Sequence, residues 1–226
     1  MGPVPVHLLA GGPGHVFHGP DPVMRSAVSA ISKARPTLAY VGCAAGDSTP
    51  FRLFITRWLK AAGAGRVAKV SLCIRRPDLA AARGVLDAAD AVFVSGGDVG
   101  AGMAVLEDLD LTSYLRELAE QGKPFIGLSA GSIMLARSWV RWPDSDEEGS
   151  AEVFPCLGVA PVYCDTHDEE AGWEELTALL RLLPEGSEGW GIPSGGDLVV
   201  SAESAVTWTG PPPTRFQRNA GGVVAV

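Results

Sequence analysis

The sequence predicts an α/β fold: a mostly parallel β-sheet sandwiched by helices, with a short antiparallel part near the C-terminal end. Three observations predict it. From Val4 to about Val140, short apolar runs alternate with longer runs of helical period. The apolar runs are near-continuous, so their strands have both faces covered, as in a parallel sheet. From Trp190 onward the pattern changes to short strands separated by Gly, Pro and Ser, which reads as an antiparallel finish.

Taken in order, Val4 to Leu9 reads as the first strand. Asp21-Pro22 is a cap and first-turn signal for a helix to about Lys33. Thr37 to Val41 is a second strand. Ser48 or Thr49 caps a helix whose Phe51, Phe54, Ile55, Trp58 and Leu59 share one face. Val67 to Cys73 is a third strand, Asp78 to Ala88 a helix, and Ala91 to Val94 a fourth strand that ends at Ser95-Gly96-Gly97-Asp98. Leu111, Leu115 and Leu118 mark the next helix, and Lys123 to Leu128 the next strand. A helix-like run follows from Ser129 to Ser138. Arg141 to Ala151 is polar and acidic, the composition of a solvated surface loop. Val159 to Cys164 resumes a strand, and Trp173, Leu176, Leu180 and Leu183 mark a last helix. Pro211-Pro212-Pro213 is a rigid turn, and no internal repeat is present.

A chain of 226 residues fits one large α/β domain spanning 1–226. Hydrophobic residues make up 46% and charged residues 19%, enough for a sizeable core. The net charge of −8 argues against a nucleic-acid binder, which needs clustered Lys and Arg. Cys43, Cys73, Cys156 and Cys164 show no C-x-x-C spacing and read as buried thiols. Met1 to Ala10 lacks the pattern of a signal peptide, and no apolar run is long enough to span a bilayer. The expectation is a cytoplasmic protein without membrane partners.

The stretch that bears most on chemistry is Gly127-Leu128-Ser129-Ala130-Gly131. Strand, sharp turn and helix around G-x-S-x-G are the context of a nucleophile elbow, which exposes the serine hydroxyl at the carboxyl edge of the sheet. The Ala130 N–H, at the start of the helix, points to where an oxyanion would form. A serine needs a base. Of the four histidines, His7 lies inside a strand, and His15 and His18 sit in a Gly/Pro-rich loop with no partners for a metal. His167 instead follows a strand-like run and lies C-terminal to the serine. Asp144, Glu147 and Asp165 are the acids available to orient it. The Gly97 N–H is placed to complete an oxyanion hole, with Gly96 and Asp98 against the substrate. Gly11-Gly12-Pro13-Gly14 is neither G-x-G-x-x-G nor a Walker motif, so no cofactor is expected.

Val92 to Asp98, Pro124 to Ser132 and Asp165-Thr166-His167, in that order and over nearly the whole chain, resemble the peptidase S51 family, which includes peptidase E and cyanophycinase. The resemblance implies a flavodoxin-like fold similar to class I glutamine amidotransferases, with serine in place of cysteine at the elbow. It implies Ser129 as nucleophile, His167 as base, Gly97 and Ala130 as oxyanion donors, and Asp144 as the leading acid with Glu147 as its alternative. The chain departs from the family in Asp98, where Asn or Gln is usual. Acidic residues also follow His167 where basic ones are usual. An acidic rim repels an acidic substrate side chain. Arg137 and Arg141 remain as carboxylate binders.

The reading is a serine hydrolase of small peptides or amide-linked substrates, dipeptidase-like. An esterase on the same residues and a non-catalytic ligand-binding member of the fold are the alternatives. Exposed edge strands in the C-terminal part leave room for a homodimer.

Overall fold

In the computed structural model, residues 4–12, 21–144, 148–201 and 203–226 are described. The elements in chain order are β1 (Val6–Leu9), α1 (Pro22–Ser29), β2 (Thr37–Val41), α2 (Thr49–Ala61), β3 (Arg66–Val70), α3 (Leu79–Ala88) and β4 (Ala91–Val94). There follow α4 (Val99–Asp108), α5 (Thr112–Glu120), β5 (Phe125–Leu128), α6 (Ala130–Leu135), β6 (Ser138–Arg141) and β7 (Glu152–Pro155). The chain ends with β8 (Cys164–Thr166), α7 (Glu174–Leu182), β9 (Glu188–Ile192), β10 (Asp197–Val200), β11 (Val206–Thr209), β12 (Thr214–Asn219) and β13 (Gly222–Ala225).

The main sheet has the order β11-β10-β1-β5-β4-β2-β3. Its five strands from β1 to β3 are parallel, and β10 and β11 extend it antiparallel beside β1. A smaller sheet, β13-β12-β9-β8, and the β6–β7 hairpin complete the strands. Strand periodicity divides the core around the main sheet into two clusters, and a third, of Trp173, Leu176, Leu180 and Phe216, joins α7 to the smaller sheet. Val92 and Val94 of β4 join the cluster that receives Met103 and Leu106 of α4 and Leu115 of α5. Ala91 and Phe93, pointing the other way, join the cluster that receives Met24 of α1 and Ile55, Trp58 and Leu59 of α2. Each such buried Leu, Ile or Phe contributes about 1.5–3 kcal/mol. That exceeds the ~1 kcal/mol of each helix cap. Such caps are made by Asp21 to the Val23 N–H, Asp78 to the Ala81 N–H and Asp98 to the Ala101 N–H.

Several elements differ from the sequence reading. Helix α4 was not expected, because Gly100 and Gly102 break up the apolar period of Val99, Met103 and Leu106. The first helix stops at Ser29, short of Lys33, and the third strand at Val70, short of Cys73. The helix after the elbow ends at Leu135, and Ser138 already opens β6. The acidic stretch after Val140 is thereby held between paired strands, with Arg141 opposite Glu152. The strand expected over Val159–Cys164 forms instead over Cys164–Thr166, and it pairs with β9 in the smaller sheet. His15 and His18 lie outside the described residues. Among the described residues, no helix is long and apolar enough to cross a membrane.

His7 has a specific partner. Its Nδ1 lies 2.7 Å from Asp197 Oδ2, joining β1 to β10, with the residues 7% and 1% exposed. Removing one member of such a pair leaves the other buried and unsatisfied. Asp197→Ala is expected to lower unfolding stability by about 2–4 kcal/mol, read by urea denaturation.

Candidate active site

Strand β5 runs between β1 and β4 and hands the chain directly to α6 at Ser129. There the backbone is forced to φ 52° and ψ −124°. A non-glycine residue at positive φ is strained, and the surroundings must hold it. The Leu9 carbonyl does so, accepting the Ser129 N–H and the Ser132 hydroxyl, each at 2.8 Å. Gly131 makes the turn sterically feasible: a Cβ there would stand 2.1 Å from the Val94 carbonyl oxygen. The serine hydroxyl then projects at the carboxyl edge of the parallel strands, where open α/β sheets place their ligands.

His167 arrives from the other sheet. It follows β8, and its N–H donates to the Ile192 carbonyl at 2.9 Å. Its own φ is 47°. Ser129 Oγ lies 2.7 Å from His167 Nε2. That is the hydrogen-bond contact that a hydroxyl nucleophile and its general base require. Opposite them, Gly97 adopts φ 147° at the end of β4. A Cβ on Gly97 would lie 2.1 Å from the Ala44 carbonyl oxygen, so only glycine fits. A cavity of about 460 Å³ gathers these parts, with Gly97, Asp98, Ser129, Ala130, Trp139 and His167 on its wall. Clefts of about 520 and 550 Å³ lie elsewhere, and neither includes Ser129 or His167.

The carboxylates fall out differently from their sequence order. Asp144 is exposed on the turn after β6, and Glu147 lies outside the described residues. Asp165 is buried on the cavity wall, where its Oδ1 accepts the Thr166 N–H at 2.7 Å. In the first turn of α7, Asp168 Oδ2 accepts the Glu174 N–H at 3.0 Å, and the Leu176 N–H acts on the Asp165 carboxyl. Among the described residues, no carboxylate hydrogen-bonds the His167 Nδ1. Burial pushes the Glu169 carboxyl up, but its own N–H, Ser194 and, least of these, His167 together hold it below the ordinary value. It also accepts the Ser194 N–H at 3.1 Å. Its place two residues past His167 was the only sequence signal for it. Arg137 lines one of the other clefts, and Arg141 pairs with Glu152.

Two further residues shape the cavity without having stood out in the sequence. Trp139 Nε1 donates to Glu175 Oε2 at 2.6 Å, tying β6 to α7 across the cavity. Burial, together with Asp168, Glu174 and Asp98, pushes the Glu175 carboxyl above its ordinary value. Among the described residues, no three His, Cys, Asp or Glu side chains group so as to hold a metal ion.

An elbow serine in contact with a histidine, at the carboxyl edge of a mostly parallel sheet, defines a serine hydrolase of α/β architecture. The chain belongs to peptidase family S51, whose sequence profile matches residues 8–207. It is therefore a serine peptidase. Its fold is similar to that of a peptidase from an acI-B1 Actinobacterium, with 17% identity, 99% of this chain and 97% of that one covered, and a TM-score of 0.72. It is also similar to a putative peptidase E protein from Listeria monocytogenes EGD-e, with 14% identity, 93% and 100% covered, and a TM-score of 0.64. No curated protein matches this sequence.

Asp165 carries a measurable consequence. Burial pushes its carboxyl up to about 7, the Thr166 N–H opposes this, Glu175 and Asp168 reinforce it, and the Leu176 N–H offsets it slightly. A folded-state value above the unfolded one means that ionising Asp165 destabilises the fold. The cost grows as pH rises from about 4 to about 7 and is then constant. Asp165→Asn is expected to raise unfolding stability at pH 8, by up to a few kcal/mol, and to have little effect at pH 4. Denaturation curves at the two pH values check this.

Proposed function

We propose that the protein hydrolyses short peptides through an acyl-enzyme formed on Ser129. The observation that carries this reading is the 2.7 Å contact between Ser129 Oγ and His167 Nε2 at the elbow. His167 takes the hydroxyl proton as Oγ attacks the scissile carbonyl carbon. The tetrahedral oxyanion is held by the N–H groups of Gly97 and Ala130, with Gly96 and Asp98 flanking the substrate. His167 then protonates the leaving amine, the C–N bond breaks, and a water molecule activated by the same imidazole releases the acid. Glu169, two residues past His167 and anchored on the Ser194 N–H, is the carboxylate we assign to stabilise the developing imidazolium; Asp144 is exposed on the β6–β7 turn. The size of the cavity, about 460 Å³, with Trp139 and Glu175 on its wall, supports a restriction to short substrates.

Fluorophosphonate labelling followed by intact-mass measurement tests the nucleophile. One adduct is expected on the wild type and none on Ser129→Ala or His167→Ala. An unlabelled, folded wild type would sink the reading. Dipeptide and long-chain substrates separate a dipeptidase from a general peptidase; equal rates on both would exclude the size restriction.

Glu169→Gln is expected to lower kcat/KM by about 10-fold, the scale of one charge-assisted interaction. It should also move the acidic limb of the pH–rate profile. Asp144→Asn should do less of both, and the reverse order would return the role to Asp144.

A further inference from the structure

Three cations of this acidic protein meet at a cleft far from its serine. The cleft, of about 520 Å³, lies at the amino edge of the parallel strands, the edge opposite Ser129. Val6 at the start of β1, its partner Val200 at the end of β10, and Lys123 just before β5 put it there. Arg116, Lys123 and Arg137 line it, with Glu120 as its one acid among the described residues. The whole chain carries 26 acids against 18 lysines and arginines, so the cleft runs against the overall charge.

The three cations are held differently. Lys123 Nζ donates to the carbonyls of Leu86, Asp87 and Ala89, so its three N–H groups are spent and it adds charge alone. Arg116 Nε donates to the Leu157 carbonyl at 2.6 Å and Nη2 to the Cys156 carbonyl at 3.1 Å, which leaves Nη1 for another acceptor. Glu120 stands one turn along α5 from Arg116, the spacing of a helical ion pair, yet the guanidinium turns to the two carbonyls instead. Arg137 lies over the Tyr163 ring, 5.8 Å from its centroid, a contact that orients the guanidinium without giving it an oxygen acceptor. Among the described residues, neither arginine pairs with a carboxylate.

Much of the remaining lining is apolar: Val6, Leu157 and Val200 from the buried core, with Val159 and Pro161 beside them. The volume falls within the range of small-molecule sites, about 300–1,000 Å³. Inorganic phosphate would meet the arginines and leave the apolar lining wet, and Glu120 opposes a second negative charge. A neutral apolar molecule would cover the lining and make no use of the guanidinium donors. One carboxylate on an apolar body meets both demands, because its two oxygens match an arginine fork and its chain covers the valines.

We propose that this cleft binds a small amphipathic monocarboxylate, with the carboxylate between Arg116 and Arg137 and the apolar body on Val6, Leu157 and Val200. Arg137, which the sequence offers as a carboxylate binder, takes that role here, away from Ser129. The site does not depend on acyl transfer, but it shares a wall with the structure that serves it. The segment from Pro155 to Pro161 lines the cleft and also docks on the end of α6. The N–H groups of Cys156, Leu157, Gly158 and Ala160 donate to the carbonyls of Arg137, Met134, Ala136 and Leu135. The occupant therefore rests on the segment that fastens α6 to the approach to β8.

The probes are octanoate and its neutral isostere octanamide, titrated calorimetrically into the wild type and into Ser129→Ala. Octanoate is expected to bind both proteins alike, and about 10-fold more tightly than octanamide, the effect of one charge-assisted hydrogen bond. From butanoate to octanoate, each buried methylene should tighten binding roughly 4-fold. Arg137→Gln should bring octanoate down to the affinity of octanamide. Glu120→Gln should tighten octanoate about 2-fold and leave octanamide unchanged. In hydrogen-exchange mass spectrometry, octanoate should slow exchange over residues 156–160 of the wild type and not of Arg137→Gln. Equal binding of octanoate and octanamide overturns the proposal. So does octanoate binding no tighter than butanoate or inorganic phosphate, or protection that misses residues 156–160. Displacement of octanoate by a fluorophosphonate adduct on Ser129 places the acid in the active site and overturns it as well. A protein that takes no adduct but keeps the octanoate results removes the hydrolase and leaves the cleft.

Discussion

The site depends on one strained residue. Ser129 sits at positive φ, a conformation that costs of order 1–3 kcal/mol for a non-glycine side chain. Its neighbours keep it there. The Leu9 carbonyl on β1 accepts both its N–H and the Ser132 hydroxyl, and Gly131 lets the first turn of α6 press onto the Val94 carbonyl at the end of β4. Three strands of the parallel sheet thus converge on one turn. The core that holds those strands includes Leu8, Val92, Phe93 and Phe125, all fully buried, and their burial outweighs the strain several times over. The elbow is rigid because it is the point where β1, β4 and β5 are fastened together.

The histidine is positioned by a separate structure, so the short Ser129–His167 contact needs a second constraint. Among the described residues, strand β8 pairs with β9 and with no strand of the main sheet. Packing of α6 and the loops around it sets its height. The Arg137 N–H reaches the Val162 carbonyl, and the Ala160 N–H reaches the Leu135 carbonyl. The Cys164 thiol lies 3.9 Å from the Ser132 carbonyl oxygen, within the turn that Ser129 begins. Burial pushes that thiol far above its ordinary range, so it serves as neutral packing between the two sheets. Ser129 and His167 are therefore registered through α6, a six-residue helix whose residues are all buried.

What could be read beforehand was whatever a local pattern specifies. The parallel strands announce themselves by apolar runs with two covered faces, and the elbow by glycines on either side of one serine. His167 follows because a strand end is a local feature, even though the strand belongs to the other sheet and starts later than its apolar run suggests. The rest is non-local. Helix α4 hides behind Gly100 and Gly102, whose small size serves packing: a Cβ on Gly102 would meet the Met134 sulfur at 2.7 Å. Trp139 looks like one more apolar residue until β6 turns it toward Glu175 on α7. The acids illustrate the limit best. Asp144, Asp165 and Glu169 are equivalent as letters. They become an exposed turn residue, a buried carboxyl and an acceptor of the Ser194 N–H only when the tertiary fold assigns each its surroundings.

Those surroundings create an electrostatic tension that the chemistry must resolve. Acyl transfer builds a negative oxyanion a few ångströms from a wall that is itself acidic. The same wall favours the positive charge that grows on His167, so one carboxylate field helps the base and opposes the oxyanion. In the proposed mechanism the N–H donors of Gly97 and Ala130 answer the second effect locally, since backbone dipoles act at short range and need no reorganisation. Exposed Asp98 and Glu174 are screened by solvent and count for little, whereas buried Asp165 is not screened. Burial also resists the ionisation of Asp165, pushing its carboxyl up to about 7, so the one carboxyl that solvent does not screen is the one least ready to add its charge to that field.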